Sequence, residues 1–262
     1  MKLASDIRTR LAGNRLRKRL YEMAELAWND LATVYPNEVE FEEGKGRRVL
    51  FISPHPDDET FGAGGSASIH VNKGNTVTFI LLSDGVRNAR EENALRWRRR
   101  VEFQTAAKIL GVMDTIFLDI PPAEIGGATA LKAVEKLLIE KQPHVLYLPT
   151  MFDNHEEHRF VNISVSRALR DAGNSSMIVR AYEIWSPLPA NKVADITDCL
   201  EKKRKAILSY TSQLETIDYE HHILGLNAYR ALTLGGKARY AEAFLELPAR
   251  AYAAMAIRHL TK

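Results

Sequence analysis

VLFISPHPDDETFGAGG, residues 49–65, decides how the rest of the chain is read. Its apolar half, Val49-Leu50-Phe51-Ile52, is an unbroken hydrophobic run with two β-branched members, the pattern of a strand covered on both faces. Pro54 and Pro56 then end ladder pairing, because proline has no N–H to donate. Side chains placed directly after such a break project past the carboxyl end of the strand, the edge of an open α/β sheet where ligands bind. That edge here receives His55, Asp57, Asp58 and Glu59. Four ionisable groups packed so closely are costly to bury unpaired. The segment is therefore either a wet turn whose Asp and Thr residues cap the next helix, or part of a cation site.

A second cluster favours the cation site. Residues 145–148 read as another short buried strand, Pro149 ends it, and Asp153, Asn154, His155, Glu156, Glu157 and His158 follow. Two histidines three positions apart face the same way at the start of a helix. Two strand ends that each present imidazole and carboxylate groups supply what a zinc site of mixed nitrogen and oxygen ligands needs, and the same donors suit ferrous iron.

Between and beyond these clusters the chain alternates strand and helix. Strands are predicted over residues 76–82, 115–118 and 177–184, and helices over 90–110, 128–141 and 157–172. This alternation places the chain in the α/β class, with a Rossmann-like, mainly parallel sheet flanked by helices. After Pro187 and Pro189, KVADIT reads as an edge strand. Helices are expected over 198–209, around 219–234 and over 240–244, so that a helical C-terminal part closes one side of the pocket. GAGG at residues 62–65 fits neither the phosphate-loop nor the dinucleotide spacing, and reads as close packing of a helix start. No serine has a G-x-S-x-G context, and H-x-x-H is one residue short of the zincin spacing.

The chain divides at its linker: residues 1–45 form a basic helical extension and linker, and residues 46–262 a single α/β domain. In the extension Ile7, Leu11, Leu16, Leu20, Met23, Leu26 and Ala27 recur at near-helical spacing. Lys2, Arg8, Arg10, Arg15, Arg17, Lys18 and Arg19 face only Asp6 in its first twenty residues. Such a helix packs on its own domain or on another subunit in an oligomer, or attaches peripherally to an anionic membrane surface. A formal net charge of +3 and sparse aromatics in the arm give no footing for nucleic acid. One cysteine, Cys199, excludes an internal disulfide and a multi-cysteine zinc site, which suits a reducing, cytoplasmic setting.

PHPDDE at residues 54–59 followed by H-x-x-H at His155 and His158 resembles the LmbE/PIG-L family of zinc-dependent N-acetylglucosaminyl de-N-acetylases. Ser83-Asp84-Gly85, Arg99-x-x-Glu102, Tyr210-x-Ser212-Gln213 and Ala241-Glu242-Ala243-Phe244 agree with it. The resemblance spans residues 47–247, and Glu157 departs from the usual Asp before the final histidine. It implies that His55, Asp58 and His158 are the metal ligands, and that Asp57 is the general base on a water bound by the metal. It further implies that His155 stabilises the oxyanion, with Asp153 or Glu157 orienting its ring, and that Arg99 reaches the substrate. The implied metal is Zn2+, with Fe2+ as the other candidate, and the implied substrate a small-molecule or glycoconjugate carrying an N-acetylated amino sugar. The alternatives are hydrolysis of another amide, or a metal- or carbohydrate-binding member without turnover. Trp97, Trp185, Tyr182 and Tyr210 are candidate flat surfaces for a sugar ring, a role weighed against ordinary core packing. His70, His144, His221, His222 and His259 read as structural.

Overall fold

The computed structural model describes residues 36–41, 46–86, 92–172 and 176–261. Of the extension and linker predicted over residues 1–45, residues 1–35 and 42–45 lie outside the described residues. The described chain builds one eight-stranded sheet in the order β1-β7-β8-β6-β5-β2-β3-β4. Its strands are β1 (Asn37–Glu38), β2 (Arg48–Ser53), β3 (Thr76–Leu81), β4 (Asp114–Phe117), β5 (Val145–Pro149), β6 (Ile178–Tyr182), β7 (Lys192–Asp195) and β8 (Ala241–Pro248). The helices are α1 (Asp58–Asn72), α2 (Glu92–Leu110), α3 (Ala128–Lys141), α4 (Glu156–Ala172), α5 (Leu200–Leu208), α6 (Thr211–Leu214), α7 (Tyr219–Arg230) and α8 (Ala249–Leu260).

Residue alternation along β2 explains the three layers. Leu50 and Ile52 join a core under α3, α4 and α8, whereas Val49 and Phe51 join one under α1, α2, α5 and α7. The central strands β2, β3, β4, β5 and β6 pair in parallel, as the βα alternation predicts. The carboxyl ends of β2 and β5 are neighbours across a pairing of Val49 with Val145 and Phe51 with Tyr147. That adjacency brings residues 55–59 and 153–158 together.

Two expectations are corrected. Residues 240–244, predicted as helix, belong to β8, which runs antiparallel to both β6 and β7. Ala and Glu favour helices, but the segment is used at period two. Leu245 enters one core and Phe244 the other, while the Glu242 carboxylate is taken up by the backbone of α1 and by Lys203. Packing on both faces overrides local propensity. The C-terminal part is thus helices around two further strands, with α8 packed against α4. The stretch preceding β2, expected as linker, contributes β1, which pairs in parallel with β7 and makes β7 an inner strand.

The GAGG segment packs as its composition suggests. A Cβ on Gly62 would stand 2.1 Å from the Tyr182 ring, and one on Gly65 2.6 Å from Ile196. Helix α1 breaks between them at Ala63 (φ −149°, ψ 24°). The N–H groups of Gly65 and Ser66 beyond the break donate to Glu242 at 2.8 Å each. Lys203 Nζ, fully buried, donates to Glu242 (2.7 Å) and to the Phe61 carbonyl (2.8 Å), bridging the two halves of the helix.

Candidate active site

Asp57 ends the turn after β2 with φ 127°, a region that side chains other than glycine rarely adopt. It occupies the N-cap position of α1, yet its carboxylate makes no capping hydrogen bond. The helix-cap explanation of the acidic run therefore fails for this residue, and its carboxylate lines the cavity instead. Strain of this kind costs on the order of 1–3 kcal/mol and gathers at functional positions.

Asp58 sits between two imidazoles. Its Oδ2 lies 3.2 Å from His55 Nδ1 and its Oδ1 3.1 Å from His158 Nε2. Oδ2 also accepts the His55 backbone N–H at 2.9 Å. Behind His158 stands Asp153, with Oδ2 3.2 Å from Nδ1. Asp153 Oδ1 accepts the His155 backbone N–H at 2.8 Å, and Oδ2 the Trp185 N–H at 3.3 Å. Glu157 contacts His55 Nε2. The two carboxylates expected to orient the His155 ring are thus spent on the other histidines: Asp153 reaches only the backbone of His155, and the extra methylene of Glu157 carries its carboxylate to His55.

The donor set fits a metal ion. Both ring nitrogens of His158 and Nδ1 of His155 are buried without a well-directed hydrogen bond. One donor atom from each of His55, His155 and His158 falls within a 4.8 Å spread, and Asp58 touches two of the three rings. Buried imidazole nitrogens whose carboxylate neighbours are poorly directed, or which have none, as at His155 Nδ1, are costly; a divalent cation among them lowers that cost. An Asp behind a ligating His is the usual means of fixing ring orientation.

The electrostatics of the bare cluster agree. Burial and the charges of Asp58 and Glu59 push Asp57 well above the usual carboxylate range. Burial acts on Asp58 in the same direction, but His158 and His55 outweigh it and hold Asp58 low. Burial disfavours charge on His158, yet Asp58 and Asp153 raise it to about 9. Glu59 is not part of the cation focus. It accepts from Ser53 (3.0 Å), Thr60 (2.8 Å) and Tyr210 Oη (2.6 Å), fastening the α1 start to the chain before α6.

These groups open into a cavity of about 280 Å³ lined by His55, Asp57, Asp58, His155 and Glu157, with Phe61, Ile184, Trp185, Tyr219, Gly85, Arg99 and Gln213 around them. Arg99, unlike its exposed neighbour Arg98, points inward. Its Nη1 donates to the Asp84 carbonyl at 2.8 Å and its Nε is buried without a partner. Gly85 (φ 69°) makes the room, since a Cβ there would lie 2.9 Å from Arg99 Nη1 and 3.3 Å from His55. Glu102 accepts from Thr211 Oγ1 and from the N–H and Oγ of Ser212, fixing the helix that carries Gln213. The short motifs 83–85, 99–102 and 210–213 are thereby one assembly around the cavity.

The structure brings all six predicted site residues together: His55, Asp57, Asp58, Arg99 and His155 line the cavity, and His158 is buried against Asp58. Sequence reading missed Phe61, Ile184 and Tyr219, whose apolar or aromatic character is indistinguishable from core. Of the four aromatic candidates, Tyr182 and Tyr210 are fully buried, Trp97 is exposed away from the cavity, and Trp185 lines it.

The family model PIG-L, described as GlcNAc-PI de-N-acetylase, matches residues 50–169. The diacetylchitobiose deacetylase of Thermococcus kodakarensis is 27% identical over 187 residues, 64% of this chain and 70% of that protein. The N,N'-diacetylchitobiose deacetylase structure from Pyrococcus horikoshii superposes with a TM-score of 0.70 at 25% identity, covering 87% of this chain and 94% of that one. At 22% identity, the 4-carboxy-2-hydroxymuconate hydratase from Pseudomonas putida KT2440 shares the fold (TM-score 0.64, 77% of this chain and 96% of that one). Both histidine clusters lie inside residues 50–169, the span of this chain that matches the PIG-L family model.

Proposed function

We propose that this protein is a metal-dependent hydrolase that removes acetate from an N-acetylated amino sugar within a larger saccharide or conjugate. The observation that supports the reading is the Asp58 carboxylate touching the rings of both His55 and His158, with the uncapped Asp57 carboxylate and His155 facing the same cavity. His55, Asp58 and His158 would hold the ion, with Zn2+ the favoured identity and Fe2+ compatible with the same donors. A divalent metal supplies there the acidification of a water molecule and the polarisation of an amide carbonyl.

The chain's own groups account for the proton movements. Asp57 takes the proton from the attacking water, as general base. His155 lies with its ring 4.6 Å from that of His158 and 4.9 Å from that of His55. From there it donates to the oxygen of the tetrahedral intermediate and passes a proton to the departing amine. Asp153 holds His158, and Glu157 holds His55. Arg99 and Gln213, in the lining of the same cavity, offer donors to sugar hydroxyls.

The relatives named as diacetylchitobiose deacetylases support the sugar, whereas the hydratase with the same fold is a reminder that architecture alone does not choose the reaction. The test is acetate release from diacetylchitobiose and other N-acetylglucosamine conjugates, using metal-stripped protein reconstituted with Zn2+ or Fe2+. Release that requires metal and drops about 10²–10⁴-fold in Asp57→Asn, with metal binding retained, is the expected outcome. Stoichiometric metal without acetate release from any of these compounds would overturn it.

A further inference from the structure

The mouth of the cavity carries an exposed indole. Trp185 is 47% exposed there, although tryptophan is usually well buried and its neighbours in the same wall, Phe61 and Ile184, are inside. Its position is not that of a loose loop tip. Its backbone N–H is held by Asp153, the carboxylate that also faces His158 and holds the His155 backbone. One residue on, Ser186 Oγ accepts the Asn154 N–H at 2.9 Å. Two residues before, Glu183 takes both Nε and Nη2 of Arg230 (2.7 and 2.5 Å) and the N–H of Leu188. The loop is thus pinned to the histidine cluster on one side and to α7 on the other.

The indole is also aligned. Its ring lies 6.3 Å from that of His155 at 29°, and Tyr219 stands edge-on at 6.0 Å and 85°. Tyr219 in turn stacks on Phe61 at 4.8 Å. An aromatic wall therefore runs from the buried interior to the rim, ending in an exposed indole, while Arg99 and Gln213 line the cavity with polar donors. A cavity of about 280 Å³ lies just under the range of about 300–1,000 Å³ typical for drug-sized ligands. It accommodates one sugar ring with its acetamide, not two. A pyranose presents C–H groups on its faces and hydroxyls at its rim, so a flat apolar surface with polar groups at the edges is complementary to it.

We infer that Trp185 is the stacking platform for the sugar ring attached to the one that carries the acetamide. The inference rests on the deacetylase reading for the assignment of the inner ring.

The experiment pairs kinetics with binding. Trp185→Ala and Trp185→Phe are compared on N-acetylglucosamine and on diacetylchitobiose, and diacetylchitobiose is titrated into Asp57→Asn protein with and without Trp185→Ala, following tryptophan fluorescence. Trp185→Ala is expected to raise KM for the disaccharide about tenfold, the signature of lost uniform binding, and to raise the monosaccharide KM by a clearly smaller factor. Trp185→Phe should recover most of the loss. Quenching by the disaccharide should vanish with the indole. Equal effects on both sugars, or an unchanged disaccharide KM, would overturn the platform. If no sugar is deacetylated at all, disaccharide quenching that depends on Trp185 upholds the platform while the reaction reading fails, and absent or Trp185-independent quenching overturns the platform itself.

Discussion

His70 offers a prediction whose size follows from the structure. It is 3% exposed, on α1. Asn75 Oδ1 accepts the Arg47 N–H at 3.0 Å, so the Asn75 amide nitrogen is the atom facing His70 Nδ1 at 3.2 Å. Nδ1 must then accept, and Nε2–H donates to Tyr147 Oη at 3.0 Å. The same oxygen receives Arg180 Nη1 at 2.8 Å. A second proton would face an N–H donor and sit near two arginines. Burial, then the charges of Arg180 and Arg47, pull the imidazole down to about 3 from 6.5. Between those values the unfolded chain binds a proton that the folded chain does not, so stability rises with pH there. The His70 contribution is complete above about 6.5 and is lost as pH falls toward 3. Going from pH 7.5 to pH 5.0, this one group removes about 2 kcal/mol. Urea unfolding of the parent and of His70→Gln at both pH values, with metal content matched, isolates it. The variant should lose about 2 kcal/mol less than the parent over that interval. Equal losses would refute the neutral, Nε2–H assignment.

Two further outcomes are expected. Glu242→Gln leaves the buried Lys203 ammonium without its counter-charge and should cost about 3–5 kcal/mol in urea unfolding; a loss below about 1 kcal/mol would mean that the pair does not tie the halves of α1 together. Glu157→Asp withdraws the carboxylate from His55 and should weaken metal binding about 10–100-fold in competition with a chelator, whereas unchanged affinity would remove His55 from the ligand set or Glu157 from its support.

By itself, the sequence determined the sheet's central strands and which ionisable groups stand at its carboxyl edge. The reason is local: a hydrophobic run ended by proline fixes where a strand stops, and His, Asp and Glu placed just beyond it can only project from the sheet edge. The two clusters, PHPDDE and H-x-x-H, were legible for that reason although about a hundred residues separate them. What local pattern cannot carry is the partner of each group. Ala241 to Glu246 has helix-forming composition, and only two packed faces and a buried carboxylate shared with Lys203 make it a strand. Whether Glu157 serves His155 or His55 depends on an approach of two strand ends that spacing does not measure. Phe61, Tyr219 and Trp185 are apolar or aromatic residues like any in the core, and it took the tertiary fold to bury the first and leave the last at the rim of the cavity. Burial and pairing are properties of the assembled chain, so the chemistry was written in the sequence while the division of labour among the groups was set by packing.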